Sequence, residues 1–132
     1  MKGKILVSWA MPEKGKKVLE KSKAEVRYLH GPKGELPTLK ELIQAVRQAD
    51  VLMPRGTQPV PQEVILSNPN LLGIANYGVG YDNIDVATAT KLGIPVTNTP
   101  GVLTETTADL AWALLMATAR KVPQAHNYVL SG

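Results

Sequence analysis

At 132 residues, with 44% hydrophobic and 20% charged side chains, the chain has the size and apolar content of one ordinary globular domain, which excludes a disordered polypeptide. It has no cysteine, which excludes disulfides, thiolate metal sites and a cysteine nucleophile, and no metal is expected. The net charge of +4 comes from residues 1–50, where eleven Lys and Arg stand against six Asp and Glu, compared with four against five in residues 51–132. Lys14, Lys16, Lys17, Lys21 and Lys23 are interleaved with Glu13, Glu20 and Glu25 and carry no aromatic side chains between them, so they are read as a solvated helix face and no nucleic-acid partner is expected. The apolar run Ile5-Leu6-Val7 is too short for a signal peptide, and no stretch approaches the roughly 18 apolar residues of a membrane span. A soluble, cytoplasmic protein without a membrane partner is the resulting expectation.

In chain order, Lys4 to Trp9 reads as a buried strand, and Pro12 opens a helix through about Lys21. Glu25 to Leu29 alternates as a second strand. After a loop holding Gly31, Pro32, Gly34 and Pro37, Thr38 caps a helix with Leu39, Leu42, Ile43 and Val46 on one side. Val51-Leu52-Met53 is a third strand, followed by a loop from Pro54 to Pro61 and a short helix ending at Leu66. Leu72 to Asn76 is a fourth strand, and its helix runs from about Asp85 to Leu92, stopped by Gly93. Ile94 to Asn98 is a fifth, and Thr106-x-x-Asp109 has the form of a capping box for a long final helix. Pro123 predicts a break near Val122, with a separately packed or mobile tail through Tyr128.

Five β–α units at this spacing predict an α/β fold with a parallel five-stranded sheet, flavodoxin-like in order, wrapped by helices on both faces. Two well-known uses of that fold fail on their loops. A flavin module needs a Ser/Thr/Gly-rich phosphate loop after the first strand, where Ala10-Met11-Pro12-Glu13 stands; a phospho-receiver needs an aspartate ending the third strand, where Met53-Pro54-Arg55 stands. Two other turns remain, Asn76-Tyr77-Gly78-Val79-Gly80-Tyr81-Asp82-Asn83-Ile84-Asp85 and Asn98-Thr99-Pro100-Gly101-Val102-Leu103-Thr104-Glu105. Each follows a strand and precedes a helix, the place where open α/β sheets bind ligands. Gly78 and Gly80 let backbone N–H groups approach a bound group, and a helix starting near Asp82 or Asp85 would add positive potential, so a small carboxylate suits the first turn. The same residues also suit a plain tight turn with an aspartate cap.

Together with the interval Ala89-Thr90-Lys91-Leu92-Gly93-Ile94-Pro95-Val96, these two turns closely resemble the D-2-hydroxyacid dehydrogenases, especially the glyoxylate/hydroxypyruvate reductase branch. The resemblance is specific over residues 72–121 and looser over residues 4–75. It implies that the N–H groups of Val79 and Gly80 hold the substrate carboxylate, and that Arg55, Gly56 and Thr57, after the third strand, line the other side of the cleft. Phosphoglycerate dehydrogenases carry an arginine in that loop against substrate phosphate, so a parent of that type stands as an alternative. A surface role for Arg55 also stays open. Thr104 matches a threonine that approaches the cofactor in the family, or serves as a plain helix cap.

The resemblance further implies a division into a substrate-binding domain, residues 1–99, and residues 100–132 as the hinge and first helix of a dinucleotide-binding domain otherwise missing. No Gly-x-Gly-x-x-Gly occurs, since Gly78-Val79-Gly80 meets asparagine at position 83. Neither His30 nor His126 matches the family's catalytic histidine, and both are read as surface residues. The expectation is therefore a truncated N-terminal part of an NAD- or NADP-dependent enzyme that reduces a 2-oxo acid such as glyoxylate or hydroxypyruvate. On its own it would carry no catalytic residues and no tightly bound cofactor. A stand-alone flavodoxin-like scaffold is the alternative from another class. Leu110, Trp112, Leu114, Leu115 and Met116 make the final helix apolar on several sides, so residues 106–121 are expected to fold back on the sheet or to form a homodimer, domain-swapped in one form.

Overall fold

A computed structural model describes residues 3–132. Five strands, β1 (Lys4–Val7), β2 (Glu25–Tyr28), β3 (Val51–Met53), β4 (Gly73–Ala75) and β5 (Val96–Thr97), form one sheet in the order β2-β1-β3-β4-β5. Every pairing is parallel, with Ile5 opposite Val26 and Val51, Leu52 opposite Ile74, and Ile74 opposite Val96. This is the doubly wound order expected from the alternating pattern, and it reverses direction at the β1–β3 junction. The strands are shorter than the apolar runs suggest. Ser8 still donates to the Met53 carbonyl at 3.2 Å, but beyond it the chain turns toward the first helix.

The pleat sends alternate residues to opposite faces, and helices cover both. On one face, Leu6, Leu52 and Ile74 pack with α2 (Leu39–Val46), α3 (Gln62–Leu66) and α4 (Val86–Lys91) through Leu42, Val46, Val64, Ile65 and Ala89. On the other, Val7, Trp9 and Met11 pack with Leu19 of α1 (Glu13–Glu20), Val26 and Met53. Gly93, at φ +69°, ends α4 in the left-handed conformation that glycine adopts without penalty.

Residues Met1–Pro100 and Gly101–Gly132 form two compact units. The second consists of α5 (Thr104–Ala119) and α6 (Val122–Ser131). The expected capping box at Thr106 does not form. The helix starts three residues earlier, with Leu103 in place of Thr106 at the N-cap and Thr104 and Glu105 in the first turn, which places Thr106 and Asp109 inside it. The break comes at Lys121, which takes φ +51°, and Pro123 sits in the first turn of α6, where its missing N–H leaves no bond unmade. The tail through Tyr128 is thus helical.

Local capping chemistry gives a measurable pH dependence. Thr38 Oγ1 accepts from the Glu41 N–H at 3.4 Å while Glu41 Oε2 accepts from the Thr38 N–H at 2.8 Å. Asp85 Oδ1 accepts from the Thr88 N–H at 3.0 Å at the start of α4. The Thr38 hydroxyl and then its N–H hold the Glu41 carboxyl below its ordinary value, and the Thr88 N–H and then its hydroxyl do the same for Asp85. Because both folded-state values are depressed, their stabilisation is fully present above the ordinary carboxylate range, about pH 4, and is lost as pH falls through the lowered values. Replacing Thr38→Ala is expected to cost about 1 kcal/mol in urea unfolding at pH 7. The difference from wild type should shrink on acidification; a constant difference down to the acid transition would refute the linkage.

Candidate carboxylate site

The carboxyl ends of β3 and β4 carry two loops that are pressed together. Beyond the strands the pairing continues as a parallel bridge between Arg55 and Tyr77, with the Gly56 N–H donating to the Tyr77 carbonyl and the Tyr77 N–H to the Pro54 carbonyl, both at 2.9 Å. That register sets Gly56 against Gly78. A Cβ on Gly78 would lie 2.9 Å from the Gly56 Cα, closer than side chains tolerate, so the absence of a side chain is what lets the loops meet.

Three consecutive peptide groups in the second loop have their oxygens tied down. The Gly78 carbonyl accepts from the Thr99 N–H at 2.9 Å, the Val79 carbonyl from Asn98 Nδ2 at 2.7 Å, and the Gly80 carbonyl from Asn76 Nδ2 at 2.8 Å. In a trans peptide the N–H points opposite to the C=O. Anchoring the first two oxygens to the end of β5 therefore turns the N–H groups of Val79 and Gly80 the other way. Among the described residues neither N–H has an acceptor, and Val79 and Gly80 are exposed. Successive fixed N–H donors of this kind suit an anion, because the dipoles need no reorientation when the charge arrives.

The helix end expected to assist them does not. Helix α4 begins only at Val86 and has six residues, and the Asp85 carboxylate already caps its first turn, so the N–H groups left open toward this edge are those of the loop peptides. Asp82 adds an opposing charge, for its Oδ1 would lie 2.7 Å from a Cβ on Gly80.

Of the residues singled out from sequence, Arg55, Gly56, Val79 and Gly80 come together on these two adjoining loops. Arg55 is exposed. Thr57 is exposed within the turn closed by the Gln58 N–H to the Arg55 carbonyl at 2.7 Å. Thr104 stands in the second unit as the first, exposed residue of α5. That unit contains no strand, hence no strand–glycine loop–helix cradle for a dinucleotide, and one threonine does not make such a site. His30 and His126 are exposed, and no cluster of metal-ligating side chains occurs among the described residues.

Several residues at this edge had no assigned role. Asn76 and Asn98, which end β4 and β5, supply the amides that fix the loop, and the Asn83 Nδ2 donates at 2.9 Å to the Gln58 carbonyl across the two loops. Asn76 is 2% exposed at a position of the inward-facing row that includes Ile74, and a buried polar residue in an apolar row was the available signal. Trp9, at the end of β1, stacks on Tyr77 with ring centroids 4.5 Å apart and planes inclined by 21°. The Ser8 hydroxyl, Trp9 Nε1 and Gln58 Oε1 are buried without a partner among the described residues; Ser8 and Trp9 directly follow β1, and Gln58 lies in the loop after β3. Such atoms cost stability.

Residues 5–130 match the family described as D-isomer specific 2-hydroxyacid dehydrogenase, catalytic domain. The chain is 47% identical over 132 residues to a glyoxylate reductase of Thermococcus litoralis, covering all of this chain and 39% of the relative. A solved structure from Thermus thermophilus superposes with a TM-score of 0.78 at 39% identity, covering 98% of this chain and 40% of that one. An NADPH-dependent glyoxylate/hydroxypyruvate reductase of Sinorhizobium meliloti, solved with NADP and malonate, gives 0.68 at 33% identity over all of this chain and 39% of that one. The chain thus spans about two fifths of the length of the relatives it matches. With a parallel sheet of the expected order and a family match over nearly its whole length, the chain belongs to the D-isomer specific 2-hydroxyacid dehydrogenase family.

Proposed function

We propose that the chain is the substrate-binding part of an NAD- or NADP-dependent D-2-hydroxyacid dehydrogenase acting on glyoxylate, hydroxypyruvate or a similar small 2-oxo acid. Residues 1–99 hold the substrate, with its carboxylate on the N–H groups of Val79 and Gly80 and the rest of the molecule toward Arg55, Gly56 and Thr57. Residues 100–132 open the cofactor-binding half, where Thr104 approaches the dinucleotide. The observation that carries the reading is the anchoring of the Gly78 and Val79 carbonyls, which fixes two successive unpaired N–H donors on an exposed loop. The glyoxylate reductase name of the relatives supports the substrate class, and the malonate in the Sinorhizobium structure is itself a carboxylate. No helix among the described residues is long and apolar enough to cross a membrane, and a cysteine-free chain in a nicotinamide-linked reaction suits the cytoplasm.

Titration of the chain with glyoxylate is expected to shift the Val79 and Gly80 amides, with an affinity in the millimolar range, about −4 kcal/mol. The uncharged methyl ester should leave both unmoved. Shifts confined to other residues, or equal shifts with the ester, would remove the site. Asp82→Asn takes a negative charge away from Gly80 and should tighten binding by up to about fivefold, the scale of an exposed charge interaction. With NADH or NADPH added, the chain should oxidise neither above a buffer blank, because its 132 residues contain no Gly-x-Gly-x-x-Gly dinucleotide loop. Binding without turnover separates this reading from that of an inert scaffold, which would show neither.

A further inference from the structure

We infer that Asn76 and Asn83 are positioning residues that make the loop after β3 and the loop after β4 respond to a bound carboxylate as one unit, an inference that rests on the carboxylate reading of Val79 and Gly80. The two side-chain amides meet face to face: Asn76 Nδ2 donates to Asn83 Oδ1 at 3.1 Å, and Asn83 Nδ2 donates back to Asn76 Oδ1 at 3.3 Å. Each amide also holds a loop, Asn76 through the Gly80 carbonyl at 2.8 Å and Asn83 through the Gln58 carbonyl at 2.9 Å. A continuous chain of hydrogen bonds thus runs from Gly80, through two carboxamides, to Gln58.

Only a carboxamide fits either position. Each side chain must donate to a carbonyl and to its partner while accepting from that partner, and Asn is the shortest side chain with two N–H donors and an acceptor. A carboxylate would set oxygen against oxygen at both carbonyls, and an apolar group would strand buried partners. Asn76 is almost fully buried at the end of β4, so the pair has a rigid base. A carboxylate drawn to the Gly80 N–H is held close to a peptide whose carbonyl Asn76 grips, and hydrogen bonds in such chains polarise one another. The pull reaches the Arg55–Gln58 turn, where the rest of the substrate lies in the proposed pose.

The test uses the 132-residue chain labelled with nitrogen-15 and oxalate as the probe. In wild type, the Val79 and Gly80 amides and those of Gly56, Thr57 and Gln58 should shift along one binding curve. In Asn83→Ala, oxalate should bind about tenfold more weakly and the Gly56–Gln58 amides should stop responding, while those of Val79 and Gly80 still do. Oxalate affinity within twofold of wild type, with both loops responding, overturns the proposal. Asn83→Asp, without ligand, supplies a second decision that also serves if the alanine variant does not fold. Protonating the introduced carboxyl restores one donor, so the Gly80 and Gln58 amides should step toward their wild-type positions on acidification. No step beyond that of wild type overturns the proposal as well. Wild-type Val79 and Gly80 amides indifferent to oxalate would instead overturn the carboxylate reading, and the Asn83→Asp step would then decide the coupling by itself.

Discussion

Substituting Gly78→Ala is expected to lower the unfolding free energy by about 2 kcal/mol, within the range for forcing a methyl group into a packed contact, and the melting temperature by about 10 °C. The Cβ would stand 2.9 Å from the Gly56 Cα and 3.4 Å from the Gly56 nitrogen, both backbone atoms that cannot turn aside as a side chain can. Relief requires the two loops to separate, which breaks the 2.9 Å bond from the Gly56 N–H to Tyr77 and displaces the Val79 and Gly80 donors. Carboxylate affinity should therefore fall at least tenfold. Gly56→Ala meets the Gly78 Cα at 3.3 Å and should show a smaller loss of both. Gly73→Ala is the control: its nearest neighbour is the Pro95 carbonyl oxygen at 3.6 Å, an ordinary contact, and a strand glycine replaced by alanine gains up to about 0.5 kcal/mol. Urea unfolding of the three variants, read beside the glyoxylate titration, checks the series. Equal stability of Gly78→Ala and Gly73→Ala would show that the loops do not meet as described.

The series also marks where the sequence stops being readable. Thr38 is legible as a cap and Gly93 as a helix stop because such signals are local, whereas the reciprocal bond from the Thr38 N–H to Glu41 is seen only in the structure. The parallel sheet followed from the alternation of strands and helices. Gly80 is legible from its turn and Val79 through a family resemblance, while the physical basis of the anion binding proposed for them lies in donors at a distance: Asn98 is 19 residues from Val79, and Asn83 is 25 from the Gln58 carbonyl it holds. Those pairings exist only once β4 and β5 are aligned with Ala75 opposite Thr97 and the Arg55–Tyr77 bridge brings Gly56 to Gly78. No local pattern contains that information. The helix contribution was over-read for a related reason, since an aspartate before a helix signals a cap whether or not the N-terminus stays free for a ligand, and here Asp85 fills it.

The 132-residue chain is expected to associate at micromolar concentration through α5. Leu110, Trp112, Leu114, Leu115 and Met116 are 60%, 65%, 60%, 56% and 52% exposed. At roughly 1.5–3 kcal/mol for each large apolar side chain taken from water, about 10 kcal/mol of burial is at stake, comparable with the ~5–15 kcal/mol stability of a whole domain. At 100° per residue, Leu110 and Leu114 fall on one side of the helix, while Trp112, Leu115 and Met116 fall on the other. One partner helix covers one such stripe, so a second copy of the chain docked through α5 is the proposed arrangement, and the stripe it uses can be found by charge. Sedimentation should show a dimer for wild type. Either Leu110→Lys with Leu114→Lys, or Trp112→Lys with Met116→Lys, should return it to a monomer, because burying two unpaired ammonium groups costs more than the interface gains. Amide exchange at residues 110–117 supplies the independent reading: slow in the dimer, fast in the variant that dissociates. A wild-type monomer whose 110–117 amides exchange freely would show that no second copy covers the helix and would remove α5 as a dimer interface.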